Sequence, residues 1–356
     1  MTIAPMFVLD APCYPAAALG SSETFRGVAL ALGGVPVTEV VAYREGRPIG
    51  HAPVDGESPE LGWVPVPGSS RCRFSFLLPI ERGAPIELRT RDARGREVAV
   101  FVYDVPFLER EEARLAALWQ RVRRLPVPPP DVVAVTQGLG NVEEYRASTA
   151  ASLLTFESLL GAAGTEISRI RSVLDVGCGT GRLLVGWHCD GPERRLFGTD
   201  INPALVAWCR ANLADVARWG VNGVEPPLDF EGGSFDLVIL ASVFTHLSLG
   251  NQRAWAAEIR RLVSPGGHAV VTLHGDVYAA AFLRDGEAES FARDGYVERA
   301  AASEGANAYT TFHSERFARE LFADFRGVTR FPRGVAGPVA RHFPIAAQQD
   351  VYVLDV

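Results

Sequence analysis

The sequence contains no lysine, because all 35 of its basic residues are arginine. Any mechanism that requires a lysine side chain is therefore excluded. Cysteine is also scarce: the chain has five, at positions 13, 72, 178, 189 and 209, and none of them form a C-x-x-C pair. An odd number of widely spaced cysteines is a poor disulfide framework, so we expect reduced thiols.

Long apolar runs are absent as well. No stretch approaches the run of about 20 apolar residues that a membrane-spanning helix needs, and the N-terminus MTIAPMFVLDAP lacks the charged start of a secretory signal. We therefore expect a cytoplasmic protein without a membrane span. With 42 acidic against 35 basic residues, the net charge of -7 argues against nucleic acid as a main partner, since phosphate binding needs concentrated positive charge.

Clusters of metal ligands are missing too. The sequence has no H-x-x-x-H pair and no carboxylate run with ligand spacing, and Cys189 beside His188 is one isolated pair. We expect chemistry that needs no metal ion.

Short apolar runs separated by turn signals are present over residues 1–105. The runs are 39–43, 73–78, 85–90 and 97–105, and the turns around Gly46 and Gly95 indicate hairpins. Many short strands without a helical stretch predict a small all-β domain, a sandwich of the Ig-like kind. We interpret it as an accessory module.

A helix and a proline-rich linker are predicted over residues 106–134. Apolar residues recur at helical spacing from Leu108 to Leu125, and PVPPP at 126–130 is typical of a stiff extended linker. Residues 141–161 again have a helical pattern, and Tyr145 belongs to one face of it.

From Ser172 onward, strand and helix patterns alternate. Predicted strands cover 172–176, 196–200, 235–242 and 268–273, with helices between them, and two further strands lie near 325–331 and 349–356. On the helix after residue 251, Trp255, Ile259 and Leu262 form an inward stripe. This alternation predicts an α/β fold with a parallel, doubly wound sheet.

A glycine-rich turn follows the first of these strands, in the segment DVGCGTGR from Asp175 to Arg182. A dinucleotide fold favours glycine or alanine where Arg182 stands, so the spacing suits a ligand without a pyrophosphate. Asp200 ends the second strand, where acidic residues accept hydrogen bonds from two ribose hydroxyls. The two features together indicate a ligand that contains a nucleoside.

Five segments in order carry a family resemblance: VLDVGCGTG, GTDIN, PPLDFEGGSFDLV, SVFTHL and RRLVSPGGHAVVTLHG. Over residues 135–356 the chain resembles the class I S-adenosylmethionine-dependent methyltransferases. It is most similar to the group that carries SVFTHL and a C-terminal QD-V-V-L strand, which is associated with glycan biosynthesis. The resemblance implies a Rossmann-like seven-stranded sheet, lid helices before it, and S-adenosyl-L-methionine as the cofactor.

The resemblance also implies a role for each matching residue. It assigns the ribose to Asp200, the adenine ring to Ile201, and the adenine amino group to Asn222 with Gly223, although Asn222 also suits an ordinary turn. Asp175 either holds the glycine loop or contacts the methionine ammonium through water. The methionine part is assigned to Gly177, Cys178, Gly179 and Gly181, and the sulfonium to Ser242 and Val243.

Position selects three candidates for the chemistry. His246 and His274 follow the fourth and fifth strands, at the edge of the sheet where the methyl group is expected. His246 is interpreted as either a general base or a residue that holds its loop. Tyr145 lies on the preceding helices and either contacts the cofactor or acceptor, or packs in the helix.

The resemblance implies O-methylation of a sugar hydroxyl on a glycan or glycosylated precursor. One alternative is a small natural product, bound in an apolar pocket of Phe244, Tyr278, Phe282 and Phe312. Another is an inactive cofactor-binding scaffold whose β-domain recruits partners. The β-domain is expected to dock a glycan, a partner enzyme or a second subunit. Arg330, Arg333 and Arg341 either receive an anionic acceptor or form a solvated face.

Overall fold

The computed structural model describes residues 6–11, 21–31, 35–61, 66, 68–137, 142–284, 286–334 and 349–356. The chain forms two compact units. The first is built on Met1–Trp119, and the second on Gln120–Ala279, Arg284–Gly334 and Ile345–Val356. The predicted domain boundaries at residues 105 and 134 stay predictions.

The first unit contains two antiparallel sheets. One has the order β1-β2-β5 and the other β4-β3-β6-β7. The predicted hairpins are confirmed, since β3 pairs with β4 around Gly46 and β6 pairs with β7 around Gly95. The strands are β1 (Met6–Ala11), β2 (Ser22–Leu30), β3 (Val37–Arg44), β4 (Arg47–Pro53), β5 (Arg73–Pro79), β6 (Ile86–Asp92) and β7 (Glu97–Tyr103).

Aromatic side chains from both sheets meet in the interior of this unit. The ring of Phe7 stacks on that of Phe101, with centroids 4.2 Å apart, and Phe25 meets Tyr103 edge-on at 4.9 Å. Such pairs contribute beyond their buried area. Along β6, buried residues alternate with partly exposed ones, which fits a sheet with one face covered by the core.

Three helices come before the large sheet: α1 (Val105–Val122), α2 (Pro130–Gln137) and α3 (Val142–Ala162). No helix in the described part of the chain is both long enough and apolar enough to cross a membrane.

The second unit contains a mostly parallel sheet of seven strands, in the order β10-β9-β8-β11-β12-β16-β15. Its strands are β8 (Ser172–Val176), β9 (Arg195–Asp200), β10 (Arg218–Val221), β11 (Phe235–Leu240), β12 (Val263–Leu273), β15 (Gly327–Phe331) and β16 (Asp350–Asp355). The helices are α4 (Arg182–Asp190), α5 (Pro203–Asn212), α6 (Leu249–Leu262), α7 (Asp276–Phe282), α8 (Glu287–Asp294) and α9 (Glu315–Leu321).

One strand departs from the predicted parallel arrangement. β16 lies between β12 and β15 and pairs antiparallel with both, so β15 runs in the same direction as β12 and only β16 is reversed. The other neighbouring pairs of the sheet are parallel, so the carboxyl ends of β8, β9, β10 and β11 meet at one edge.

A two-stranded hairpin outside the large sheet was not predicted. It consists of β13 (Tyr296–Ala300) and β14 (Tyr309–His313), which pair antiparallel. We call the segment Tyr296–His313 the β13–β14 hairpin.

The predicted stripe on α6 is confirmed. Trp255, Ile259 and Leu262 are buried in the core between α6 and the sheet. The Trp255 indole also donates a hydrogen bond to the Val224 carbonyl over 2.8 Å, which satisfies its one polar group.

Phe235 lies at the start of β11 and is 1% exposed. Its ring meets those of Phe197 and Phe230 edge-on, at 5.3 and 5.0 Å. We expect Phe235→Ala to lower the free energy of unfolding by about 3–5 kcal/mol, because it leaves a cavity in this cluster. Val221→Ala, at a side chain that is 50% exposed, should change it by no more than about 0.5 kcal/mol. Urea unfolding followed by fluorescence measures both, and equal effects would contradict the packing described.

Candidate active site

The glycine loop after β8 has a backbone that only glycine adopts easily. Gly177, Gly179 and Gly181 all have positive φ, at 75°, 54° and 78°. A methyl group added at Gly177 would lie 2.6 Å from Val243 Cγ2, and one at Gly181 would lie 2.6 Å from the Trp219 ring. The loop therefore needs these glycines for conformation and for close packing.

Asp200 fixes this loop against the end of β9. Its Oδ2 accepts the Gly179 amide and its Oδ1 accepts the Asn202 amide, both at 2.8 Å. The amides of Gly177 and Cys178 both donate to the Thr199 carbonyl, at 2.7 and 2.9 Å. Since a carboxylate offers about four lone-pair sites, both oxygens of Asp200 keep capacity for two ribose hydroxyls.

A cavity of about 580 Å³ opens at this edge of the sheet. That is within the usual size range of small-molecule sites. Eight of the eleven residues predicted to bind the cofactor line it: Gly177, Gly179, Asp200, Ile201, Asn222, Gly223, Ser242 and Val243.

The remaining three lie behind the cavity wall. Cys178 is buried, and burial raises the pKa of its thiol well above the ordinary value. Gly181 precedes the first turn of α4. Asp175 is fully buried. The hydrogen bond from the Gly179 amide of the loop is accepted by Asp200, whereas Asp175 Oδ2 has no hydrogen-bond partner. Burial, aided by the charge of Asp200, raises the pKa of Asp175 to about 8.

The far end of the cavity offers surfaces that fit an adenine. Ile201 is 39% exposed, which is unusual for a large apolar side chain. Asn222 donates its side-chain amide to the Gly223 carbonyl over 2.7 Å, while its buried Oδ1 has no partner in the structure. An apolar wall beside an unpaired acceptor suits a flat base with an amino group, so these residues fit the adenosine of S-adenosylmethionine.

Ser242 lies two residues after the end of β11 and has a strained conformation, with φ of 58°. Its amide donates to Thr272 Oγ1 over 2.7 Å, and its hydroxyl meets the side chain of buried Gln349. Thr272 in turn donates to Gln349 over 2.5 Å. Strain held in place by buried polar contacts is typical of functional sites. Sequence reasoning missed Gln349, whose signal was its position immediately before the last strand.

His246 lines the same cavity. Its Nδ1 lies 2.7 Å from the Tyr309 carbonyl, which only accepts, so Nδ1 carries the hydrogen and Nε2 is the unprotonated nitrogen. Burial lowers the pKa of His246 below its ordinary value. The side chain is therefore a neutral imidazole at pH 7 with a free acceptor nitrogen.

His274 does not reach the cavity wall. Its Nδ1 donates to the Thr311 carbonyl over 3.1 Å, and its ring stacks on Tyr278 at 4.3 Å. Burial, with the nearby His246, lowers the pKa of His274 to about 3. The centroids of His246 and His274 are 6.3 Å apart. His274 therefore supports the cavity from behind.

Tyr145 also lies behind the wall. Its hydroxyl is 3.0 Å from Thr180 Oγ1 in the glycine loop, and burial raises its pKa to about 12. Such a phenol is a poor base at pH 7. Its contact connects α3 to the loop.

The described residues that line the cavity include two acidic side chains, Asp131 and Asp200, and no arginine. Arg330 is committed elsewhere, with its guanidinium on Asp350 at 2.6 Å and on Asp276 at 2.8 Å. Arg341 lies outside the described residues. Within the described chain, no three His, Cys, Asp or Glu residues form a group that could hold a metal ion.

Comparison with known proteins agrees with the methyltransferase resemblance found in the sequence. The family described as "Methyltransferase domain" matches residues 173–267. A malonyl-[acyl-carrier protein] O-methyltransferase of Geobacter sulfurreducens is 30% identical over 224 residues, which cover 58% of this chain and 82% of that protein. The chain belongs to the S-adenosylmethionine-dependent methyltransferases.

Two further known proteins have parts that are similar to this methyltransferase. The malonyl-[acyl-carrier protein] O-methyltransferase of Hahella chejuensis is 35% identical over 104 residues, covering 28% of this chain and 35% of that protein. The match thus spans about a third of its length. The magnesium protoporphyrin IX methyltransferase of Synechocystis, solved with bound SAH, has a TM-score of 0.40 at 15% identity, covering 64% of this chain and 94% of that chain.

We expect Asp200→Asn to weaken binding of S-adenosylmethionine by about tenfold or more, because the amide replaces a charged acceptor of ribose and loop amides. Asp229→Asn, at an exposed position of the same unit, is the matched control and should bind normally. Calorimetry measures both affinities, and circular dichroism confirms folding. Equal affinities would show that Asp200 does not contact the cofactor.

We expect the cofactor-free methyltransferase to lose stability as the pH rises from about 4 to about 8, because the buried Asp175 resists ionisation. The folded-state pKa of Asp175, about 8, is above its ordinary value of 3.8. Its stabilising contribution is therefore fully present below pH 3.8, declines by up to about 1.4 kcal/mol per pH unit as the pH rises to 8, and stays lost above that. Asp175→Asn should flatten the stability curve between about pH 4 and 8, measured by urea unfolding. Parallel curves would mean that Asp175 titrates normally.

Proposed function

We propose that this methyltransferase transfers a methyl group to a hydroxyl oxygen and that His246 accepts the hydroxyl proton. The observation that carries the proposal is the 2.7 Å contact between His246 Nδ1 and the Tyr309 carbonyl, which leaves Nε2 as a base on the cavity wall. Hydroxyl acceptors need such a base, because their oxygen is a weak nucleophile until the proton departs.

The charge of the cavity supports a neutral acceptor. The described residues lining it include the carboxylates of Asp131 and Asp200 and no arginine, and the chain has no lysine. An anionic acceptor would enter without a cationic partner, which is costly in a partly buried site.

S-adenosylmethionine supplies an electrophilic methyl group on a positively charged sulfur when it is bound. We propose that Asp200 holds its ribose, that Ile201 packs on the adenine ring, and that Asn222 Oδ1 accepts from the adenine amino group. Gly177 and Gly179 let the loop backbone approach the methionine part. Ser242 and Val243 form the wall next to the sulfur, near His246.

The acceptor class within this proposal is a sugar hydroxyl on a glycan or glycosylated precursor, which the SVFTHL resemblance supports. The natural-product alternative has less support, because Phe244 and Phe312 are fully buried and none of the four expected aromatic residues lines the cavity.

We further propose that residues 1–105 form an Ig-like sandwich, that residues 106–134 connect this sandwich to the catalytic domain, and that residues 135–356 form the catalytic domain. We also propose that the enzyme acts in the cytoplasm. The sandwich would dock an acceptor, a partner enzyme or a second copy.

A carboxyl acceptor is the second candidate. Both curated relatives are named for O-methylation of a malonyl-[acyl-carrier protein]. A carboxylate oxygen needs no base, so loss of His246 separates the two candidates.

We expect His246→Ala to lower kcat for a hydroxyl acceptor by about 10²–10⁴-fold while cofactor affinity stays normal. His188→Ala, outside the cavity, is the matched control. Because the folded pKa of His246 is below 6.5, the wild-type rate should stay constant near pH 7 and fall only below pH 6.5, as the imidazole gains a proton.

The measurement uses labelled cofactor with hydroxyl glycosides and with malonyl-[acyl-carrier protein], followed by mass spectrometry of the products. Hydroxyl methylation that His246→Ala leaves at full rate would overturn the base. Methylation of the carboxyl substrate alone would overturn the hydroxyl proposal in favour of the second candidate.

A further inference from the structure

The β13–β14 hairpin holds His246 at two points. The Gly305 amide in its turn donates to the His246 carbonyl over 2.8 Å, and the Tyr309 carbonyl in its second strand accepts from His246 Nδ1 over 2.7 Å. One contact fixes the backbone and the other fixes the tautomer of the ring. The position and the protonation state of the base thus depend on one element.

The same turn forms part of the cavity wall on the adenine side. Gly305 and Asn307 both line the cavity. A methyl group added at Gly305 would lie 2.4 Å from Ile201 Cδ1 and 3.9 Å from Val224 Cγ2, and Gly305 has φ of +82°. Glycine at this position therefore lets the turn pack directly against Ile201.

Buried polar contacts attach the hairpin firmly to the turn that carries His246. Thr311 Oγ1 donates to the Phe244 carbonyl over 3.0 Å, and Glu304 accepts the Ser248 amide over 2.9 Å. The fully buried Gln252 donates to the Phe244 carbonyl of the turn and to Thr311 Oγ1 of the hairpin, at 2.9 and 3.1 Å. A shift of the hairpin would break several of these bonds together, so the hairpin and the His246 turn move as one body.

We propose that the β13–β14 hairpin couples cofactor binding to the orientation of the base, with Gly305 as the positioning residue between Ile201 and His246. This inference rests on the proposed function, in which His246 is the base. A ligand that packs on Ile201 restricts the position of Gly305, because Gly305 lies against Ile201. The Gly305 amide in turn holds the His246 carbonyl by a hydrogen bond. By linkage, a change that displaces the hairpin must weaken cofactor binding and release His246 from its tautomer at the same time.

The test compares Gly305→Ala with Gly286→Ala. Gly286 has φ of +83° and open space around its Cα, so its alanine variant carries the same backbone strain without a contact on the cavity. We expect Gly305→Ala to weaken S-adenosylmethionine about tenfold or more in calorimetry, whereas Gly286→Ala should bind as the wild type does. In an Ile201→Ala background, which removes the clashing Cδ1, Gly305→Ala should cost measurably less.

The second readout is the ¹⁵N NMR signature of the His246 ring, assigned by its loss in His246→Asn. We expect the Nδ1–H tautomer in the wild type and in Gly286→Ala, and a mixture of tautomers in Gly305→Ala. Since a clash can unfold a chain, Glu304→Ala, which loosens the hairpin without added bulk, is the second variant and should also shift the tautomer.

Neither readout needs an acceptor, so the result does not depend on whether a hydroxyl is methylated. Loss of affinity in Gly305→Ala with an unchanged His246 ring would overturn the coupling. Wild-type affinity in Gly305→Ala would overturn it as well. If both readouts move and His246→Ala still turns over a hydroxyl acceptor, the coupling stands and the proposed base fails.

Discussion

The carboxylate of Asp200 is the contact on which the rest of the site depends. It accepts one amide from the glycine loop after β8 and one from the start of α5, and so joins two turns that follow neighbouring strands. Backbone amides that point at a carboxylate are strong, charge-assisted donors. The loop with three positive-φ glycines keeps one shape because of these bonds.

The positions of these turns explain how the walls of the cavity are arranged. Parallel strands bring their carboxyl ends to one edge, and the turns after β8, β9, β10 and β11 each add one wall. Ser242, in its strained conformation, continues the wall toward His246. Hydrogen bonds with Thr272 and Gln349 hold Ser242 in place. On the cavity wall, the buried Asn222 Oδ1 remains without a partner, and such an atom is expected where a ligand completes the hydrogen bonding.

Local patterns predicted much of this arrangement. The stripe of Trp255 and Ile259, the glycine loop and Asp200 all depend on spacing within a few residues, and the structure places them as expected. The position of His246 followed from strand order, because the loop after the fourth strand must lie at the cofactor edge.

The hairpin and the buried polar supports could not be predicted in the same way. β13 and β14 are five residues each, with an eight-residue turn between Ala300 and Tyr309, so they lack the tight turn that marks a hairpin in sequence. Gln252 and Gln349 each also bind side chains that are 59 or more residues away in the chain, namely Thr311, Thr272 and Ser242. Their polar character indicated exposure, and only the fold shows them buried.

The most direct measurement is a crystal structure of the methyltransferase with S-adenosylmethionine. We expect the ribose hydroxyls on Asp200, the adenine against Ile201 with its amino group on Asn222 Oδ1, and the methyl group facing the side of the cavity that holds His246 Nε2. A cofactor whose ribose does not contact Asp200, or whose methyl group points away from His246, would contradict the account.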